Sequence, residues 1–312
     1  MKDKKVIFMG TPQYSVPVLE TLIENTNVLC VVTQPDKPVG RKKVLTPCPV
    51  KQVAIDNNVP VLSPAKLKEE YNNILEYNPD IIITCAYGQI LPEELIYYPE
   101  YDTVNVHASL LPKYRGGAPI HRAIINGEKE TGITIMYTDK GMDSGDIIKM
   151  EKIEIKDNDT YDIISEKMSV LGAKLLKETL PSIFNKTNKR IKQEENKKTL
   201  APIIKREDEH IDFNKTAKEV HNQIRGLSSI PGAYTILDDN IIKVLLSEKE
   251  NIEETTKEPG TITRVDKTGI YVACKDKEIK ITKLQVSGKK PMLVRDYLNG
   301  VDKENLIGKK FI

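Results

Sequence analysis

The sequence predicts a parallel α/β sheet of Rossmann-like type followed by a small antiparallel β-barrel. Three observations carry that expectation. In the first half, short apolar runs alternate with helical spacing across short connections, the order that builds parallel sheets. Residues 80–86 are, after Asp80, an almost continuously apolar run that opens on Ile81-Ile82-Ile83, as in a strand buried on both faces. After Arg206 the pattern changes to five short strands parted by turn residues, which suits a small barrel, most simply an OB-fold. A chain of 312 residues is comfortable for two such domains. The expected boundaries are a first domain over 1–188, a linker over 189–206 and a second domain over 207–312.

Val6-Ile7-Phe8-Met9 reads as a buried first strand closed by Gly10-Thr11-Pro12. Val16, Leu19, Leu22 and Ile23 follow at helical spacing, and residues 28–33 make a second strand. The glycine turn invites a dinucleotide reading, which fails on its own motif: position 12 is Pro, and no further Gly occurs before Gly40. Residues 34–51 read as a long irregular loop, with four prolines and only positive charges after Asp36. Loops that long are commonly functional. Arg41-Lys42-Lys43 makes this one a candidate for phosphate contacts, against the plainer reading of a basic surface loop. Helices near 51–56 and 67–77 precede the strand at 80–86, which opens into Tyr87-Gly88-Gln89-Ile90-Leu91-Pro92.

The next strand carries the chemistry. In Val104-Asn105-Val106-His107 the side-chain period of two puts Asn105 and His107 on one face. An amide and an imidazole side by side are poor core material, because buried polar groups need partners. Pro112 and Gly116-Gly117 then force a loop at the strand's carboxyl end, where open α/β sheets bind ligands. A helix over 118–126, a strand over 132–137 and a turn over 139–146 follow. Asp143 stands between Gly141 and Gly145, which would let a carboxylate ride a sharp turn into a cleft. Asp139 and Asp146 remain alternatives, as turn or edge residues. A helix over 161–184 takes Thr160 as its cap. Residues 185–198, rich in Lys, Glu and Asn, read as exposed linker. A helix over 216–227 precedes strands at 234–237, 241–246, 261–265, 270–273 and 279–284.

Composition excludes several classes. A net charge of +2 does not announce nucleic-acid binding in bulk, although basic pairs recur along the chain. Four scattered Cys and four His give no CxxC, no HExxH and no metal spacing, so no metal is expected. No apolar run approaches the ~20 residues of a membrane span, and no signal peptide is evident. The expected setting is a reducing cytoplasm.

Asn105-Val106-His107, then Ser109-Leu110-Leu111-Pro112 and Arg115-Gly116-Gly117, resembles the signature of the 10-formyltetrahydrofolate-dependent formyltransferases and hydrolases. Thr138-Asp139-Lys140-Gly141-Met142-Asp143-Ser144-Gly145-Asp146 resembles that family's second catalytic segment, and the likeness runs from Val6 to the carboxyl end. It looks most like the branch whose acceptor is methionyl-tRNA. Residues 34–51 resemble the insertion with which that branch contacts the tRNA acceptor end, with Gly40-Arg41-Lys42-Lys43 where Gly-Arg-Gly-Lys is common. Ile211-Asp212-Phe213 and Pro231-Gly232-Ala233-Tyr234 resemble its carboxyl-terminal OB-like domain, with Phe213 where tryptophan is usual.

The resemblance implies transfer of the formyl group of 10-formyltetrahydrofolate, a co-substrate, to the α-amino group of initiator methionyl-tRNA, the step that prepares translation initiation. It favours Asp143 over its neighbours as the carboxylate. Ser109, Leu110, Leu111 and Pro112, with Gln89 and Leu91, would border the folate. Arg41, Lys42 and Lys43, with the carboxyl-terminal domain, would hold the tRNA, and the protein would act as a monomer. Such a reaction passes through a tetrahedral oxyanion, so it needs donors at the formyl oxygen and a route for the amine's proton. Asn105 and His107 can donate; Asp143 can orient the imidazole or accept the proton. Relatives that formylate a purine-pathway amine or a nucleotide-linked amino sugar, and the hydrolases, share the amino-terminal machinery. The long basic loop and the complete second domain favour tRNA. A bare folate- or RNA-binding module would have no use for Asn105, His107 and Asp143 together.

Overall fold

The apolar runs of the first half become the strands of one mixed sheet. β1 (Lys5–Gly10) leads through α1 (Val16–Asn25) to β2 (Asn27–Val32); a hairpin of β3 (Lys37–Val39) and β4 (Val44–Thr46) precedes α2 (Pro49–Asp56) and β5 (Val61–Leu62). Two short helices, α3 (Leu67–Glu70) and α4 (Asn72–Leu75), stand where one was expected. Then come β6 (Ile81–Cys85), α5 (Glu93–Ile96), β7 (Thr103–His107), α6 (Pro119–Ile125), β8 (Glu130–Tyr137), β9 (Ile147–Glu154) and α7 (Tyr161–Phe184). The computed structural model describes every residue except Arg41, Lys42, Glu250 and Asn251.

The strand order is β5-β2-β1-β6-β7-β8-β9. The first five run parallel, whereas β8 pairs with β7 antiparallel, so the sheet is mixed. From β1 the chain works outward through β2 to β5, then returns to β6 on the other side of β1. That reversal leaves a crevice at the strands' carboxyl ends. On one face Ile7, Met9, Cys30, Val32 and Ile82 alternate inward against Leu67, Ile74 and Leu95 of the short helices. The segment read as an irregular loop contains the β3–β4 hairpin, and Lys51 Nζ bonds Asp36 Oδ2 at 2.7 Å across its base. Among the described residues no helix is long and apolar enough to cross a membrane.

By compactness the chain forms two units, neither continuous in sequence. The first comprises Met1–Pro119, Glu130–Ile153 and Ser165–Pro202; the second comprises Ile120–Lys129, Glu154–Ile164 and Ile203–Ile312. In the second, α8 (Arg206–Glu209) and α9 (Ala217–Leu227) precede β10 (Ala233–Leu237), β11 (Asn240–Glu248), β12 (Ile262–Val265), β13 (Ile270–Ala273), β14 (Glu278–Val286), β15 (Met292–Leu293) and α10 (Val294–Tyr297). Thr216 caps α9, its hydroxyl accepting from Glu219 N while Glu219 reaches back to Thr216 N. The sheet order is β10-β11-β14-β13-β12, antiparallel throughout, with β15 on β14. Its two edges are joined by the last residues. Ile312 exchanges backbone bonds with Ile236 of β10, while Lys309 O and Phe311 N bond Ile262 N and Gly260 O at the β12 edge. A stretch too short to read as a strand thus covers both edges, which would otherwise be exposed.

One buried group gives this unit a measurable pH dependence. His221 of α9 is 2% exposed, its Nε2 on Asp157 O at 3.0 Å and its Nδ1 on Ser247 Oγ at 2.9 Å. Burial, aided by Lys249 and Arg225 nearby, pushes its pKa down to about 4. The unfolded chain takes this proton near 6.5 and the folded chain only near 4, so stability falls as pH drops through that window and levels off below it. The expected loss is about 3 kcal/mol. Urea unfolding between pH 7.5 and 4 should show it, and His221→Gln should lack that component of the slope.

Candidate active site

Period-two geometry delivers what the sequence expects on β7: Asn105 and His107 both face the turn that carries Asp143. Asn105 Nδ2 lies 3.5 Å, and His107 Nδ1 3.6 Å, from the same oxygen, Asp143 Oδ1. Neighbouring groups fix each side chain. Thr84 at the end of β6 donates its hydroxyl to Asn105 Oδ1 at 2.9 Å, so the amide's N–H groups must point the other way, toward the carboxylate. His107 Nε2 meets the carbonyl of Tyr114 at 3.1 Å. A carbonyl only accepts, so Nε2 carries a proton and Nδ1 is the nitrogen that faces Asp143. The ring is 6% exposed, which strengthens its interaction with the carboxylate.

Asp143 itself takes the left-handed conformation, φ 48°, and its Oδ2 accepts from Gly116 N at 2.8 Å. The flanking glycines serve differently from expectation, since neither supplies the turn's positive φ. A Cβ on Gly145 would lie 1.9 Å from Tyr137 O, so this Gly is required by close approach of two chain segments. Gly116, at φ 120°, combines both needs: a Cβ there would meet Ala201 O at 2.8 Å. The alternative carboxylates are otherwise placed. Asp139 Oδ1 accepts from Gly141 N at 2.9 Å and Ser144 Oγ at 2.6 Å, shaping the turn. Asp146 accepts through its main chain, from Tyr137 N at 2.9 Å.

The loop after β7 is held by its own polar groups. Ser109 donates its hydroxyl to Lys113 O at 2.7 Å, and Thr134 of β8 donates to Ser109 O at 2.6 Å while accepting from Leu111 N at 3.2 Å. Leu111 packs with Met136 and Ile147; Leu110 and Pro112 are half-buried. After β6, Gln89 spends its amide on Pro64 O and Leu67 N, and Leu91 packs on the core, which leaves Ile90, 90% exposed, as the outward side chain. Cys85 ends β6 near this region, but burial pushes its pKa up to about 12, so it stays a thiol and offers no nucleophile. Of the basic trio, Arg41 and Lys42 lie outside the described residues. Lys43 is exposed in the hairpin turn, its N–H on Gly40 O at 3.2 Å.

Sequence reasoning missed the supports: Thr84, Thr134, Gln193 and Thr199, whose hydroxyl accepts from Tyr114 N at 2.9 Å. Each acts across a gap in sequence that no local pattern spans.

A profile of formyl transferases matches residues 4–180, and a profile of the formyl transferase C-terminal domain matches 203–302. The methionyl-tRNA formyltransferase of Staphylococcus aureus strain MW2 is 52% identical over 313 aligned residues, 99% of each chain. The chain belongs to the formyl transferase family. Within that family it stands with the methionyl-tRNA formyltransferases, since the protein of that name from strain JH1 matches to the same extent. The formyl transferase architecture recurs in solved structures. An N-formyltransferase from Helicobacter canadensis, complexed with folinic acid and dTDP-3-aminofucose, aligns with a TM-score of 0.65 at 24% identity, over 89% of this chain and 98% of that one. HypX from Aquifex aeolicus with tetrahydrofolic acid gives 0.64 at 15% identity, over 96% of this chain and 47% of its own. A methionyl-tRNA formyltransferase from Clostridium thermocellum gives 0.57 at 18%, over 80% and 94%. At such identities the likeness is one of fold.

Proposed function

We propose that this formyl transferase moves the formyl group of 10-formyltetrahydrofolate to the α-amino group of initiator methionyl-tRNA, with Asn105, His107 and Asp143 as its catalytic residues. The observation that carries the reading is the 52% identity, over nearly the whole chain, to proteins named for that reaction. The convergence of the three side chains on one carboxylate oxygen supports it.

As the amine attacks the formyl carbon, charge develops on the formyl oxygen. Asn105, oriented by Thr84, donates an N–H to that oxygen and never changes charge itself. His107 Nδ1 takes the proton the amine loses, and Asp143 stabilises the imidazolium from 3.6 Å. The same proton then returns to the departing folate nitrogen, so no net charge is left behind. The α-amino group of an aminoacyl ester is less basic than the ~8 of a free one, so much of it is already nucleophilic near neutrality. The folate lies against the loop Ser109, Leu110, Leu111 and Pro112 and the loop bearing Gln89 and Leu91. The first unit carries this chemistry, and the second, most of it residues 203–312, binds tRNA. The protein works as a cytoplasmic monomer without a metal.

Formyl transfer to charged initiator tRNA, with nucleotide-linked amino sugars as competing acceptors, tests the reaction. Turnover of the folate with the sugars and none with the tRNA would overturn the proposal. A binding arm tests the basic loop. Exchanging Arg41, Lys42 and Lys43 for Gln should remove ~2–3 units from the log–log salt slope of tRNA affinity, if each cation contributes about 0.7–0.9. Folate affinity should be unchanged. An unaltered slope and affinity would make the loop ordinary surface.

A further inference from the structure

Gln193 lies in a stretch whose composition reads as solvated, about fifty residues from the turn of Asp143, yet its amide touches the backbone that presents the carboxylate. Nε2 donates to Asp143 O and to Gly145 O, each at 2.8 Å. Oε1 accepts from Arg115 Nε at 3.0 Å and Arg115 Nη2 at 2.8 Å. Both N–H groups and both lone-pair positions of the amide are therefore used. A guanidinium can only donate, so Oε1 must face Arg115 and the NH₂ must face the two carbonyls; the side chain has one orientation. Arg115 is held in turn: it is 4% exposed, and Nη2 also reaches Glu195 Oε1 at 2.7 Å.

We propose that Gln193 is a positioning residue for formyl transfer. It brackets the turn 143–145 against the loop 114–116 and so sets the distance between Asp143 Oδ1 and His107 Nδ1. The inference rests on the role given to Asp143 above. Two features make the bracket necessary. Asp143 has φ 48°, a left-handed conformation that L-residues rarely adopt and that persists only where the surroundings hold it. The loop 114–116 also carries both fixed partners of the pair, the Tyr114 carbonyl on His107 and the Gly116 N–H on Asp143. Gln193 ties the two segments together through Arg115, and main-chain bonds between Arg115 and Thr199 and Ala201 run alongside. Without the amide, two carbonyls and a buried guanidinium lose partners, and the turn is free to shift.

The test uses Gln193→Met, close in volume and unable to hydrogen-bond, and Gln193→Glu, which keeps an acceptor for Arg115 but sets oxygen against the carbonyls. Each is made in the wild-type and the Asp143→Asn enzymes, with thermal midpoints to establish folding. In the wild-type background kcat should fall about 10- to 100-fold, the cost of misplacing a reacting group by ~1 Å, while the folate KM moves less than about threefold. In the Asp143→Asn background the same changes should cost less than about threefold, because residues that act through one group are not additive. A merely structural role would cost the same in both backgrounds. Equal losses, a loss confined to KM, or unchanged kcat beside an impaired Asp143→Asn would overturn the proposal alone. A fully active Asp143→Asn would overturn the role of Asp143 and the proposal with it. If Gln193→Met does not fold, Gln193→Glu decides by the same comparison.

Discussion

Asp143→Asn should lower kcat by about three to four orders of magnitude, as loss of the orienting carboxylate does in a His-based triad, and leave the loop's shape intact. The substituted amide can still accept from Gly116 N through its oxygen, so the turn keeps its anchor. Its nitrogen then faces His107 Nδ1 across the 3.6 Å gap and donates to it. That contact occupies the one lone pair the imidazole has for the amine's proton, because Nε2 is already spent on Tyr114 O. The change therefore removes the charge that stabilises the imidazolium and blocks its formation as well. The acid limb of the pH–rate profile should change too. Asp146→Asn, made beside it, should keep most activity, since that residue contributes a main-chain acceptor. A wild-type rate and profile in Asp143→Asn would mean that the carboxylate has been wrongly chosen.

Asn105→Ala and His107→Ala should each cost two to three orders in kcat, about 3–4 kcal/mol of transition-state stabilisation, with folate binding largely kept. The two losses should differ in kind. Asn105→Ala removes a donor to the formyl oxygen without touching the proton route, so its pH–rate profile should keep the wild-type form at a lower level. It also leaves the Thr84 hydroxyl without its acceptor, a modest cost in stability that a thermal midpoint will show. His107→Ala removes the proton carrier and should flatten the profile. Small primary amines of suitable basicity, added as external proton acceptors, should restore part of its rate. Near-normal turnover of either variant in folded form would remove it from the mechanism.

What was legible in the sequence was local. Four alternating residues of β7 are enough to put Asn105 and His107 on one face, because strand geometry leaves no other choice. The apolar run of β6 is likewise enough by itself to mark a buried strand. The choice among Asp139, Asp143 and Asp146 was not local. It depends on which residue takes the left-handed φ and on which oxygens the neighbouring main chain already claims. The direction of β8 was hidden because an apolar run reads alike both ways, and the contribution of Gln193 because its partners are Arg115 and Asp143, distant in sequence. The closing of the second sheet by residues 308–312 depends on register, and five residues carry too little pattern to reveal it.

The discontinuity of the second unit governs how such a chain can be taken apart. Seen as a string, the chain suggests a detachable cassette beginning near Ile203. The interior of that cassette says otherwise. Arg225 buries its guanidinium against the carbonyls of Lys156 and Asp159, at 3.1 and 2.9 Å, and His221 rests on Asp157. Arg122 pairs with Asp208 at 2.7 Å. A fusion that transplants the carboxyl-terminal piece by itself would keep Asn222 for that cation and Ser247 for that imidazole but take away their main-chain acceptors. A recombinant graft must therefore bring along two upstream strips, 120–129 and 154–164. By the same logic, a lineage could exchange this unit in one piece only by exchanging everything from Ile120 onward.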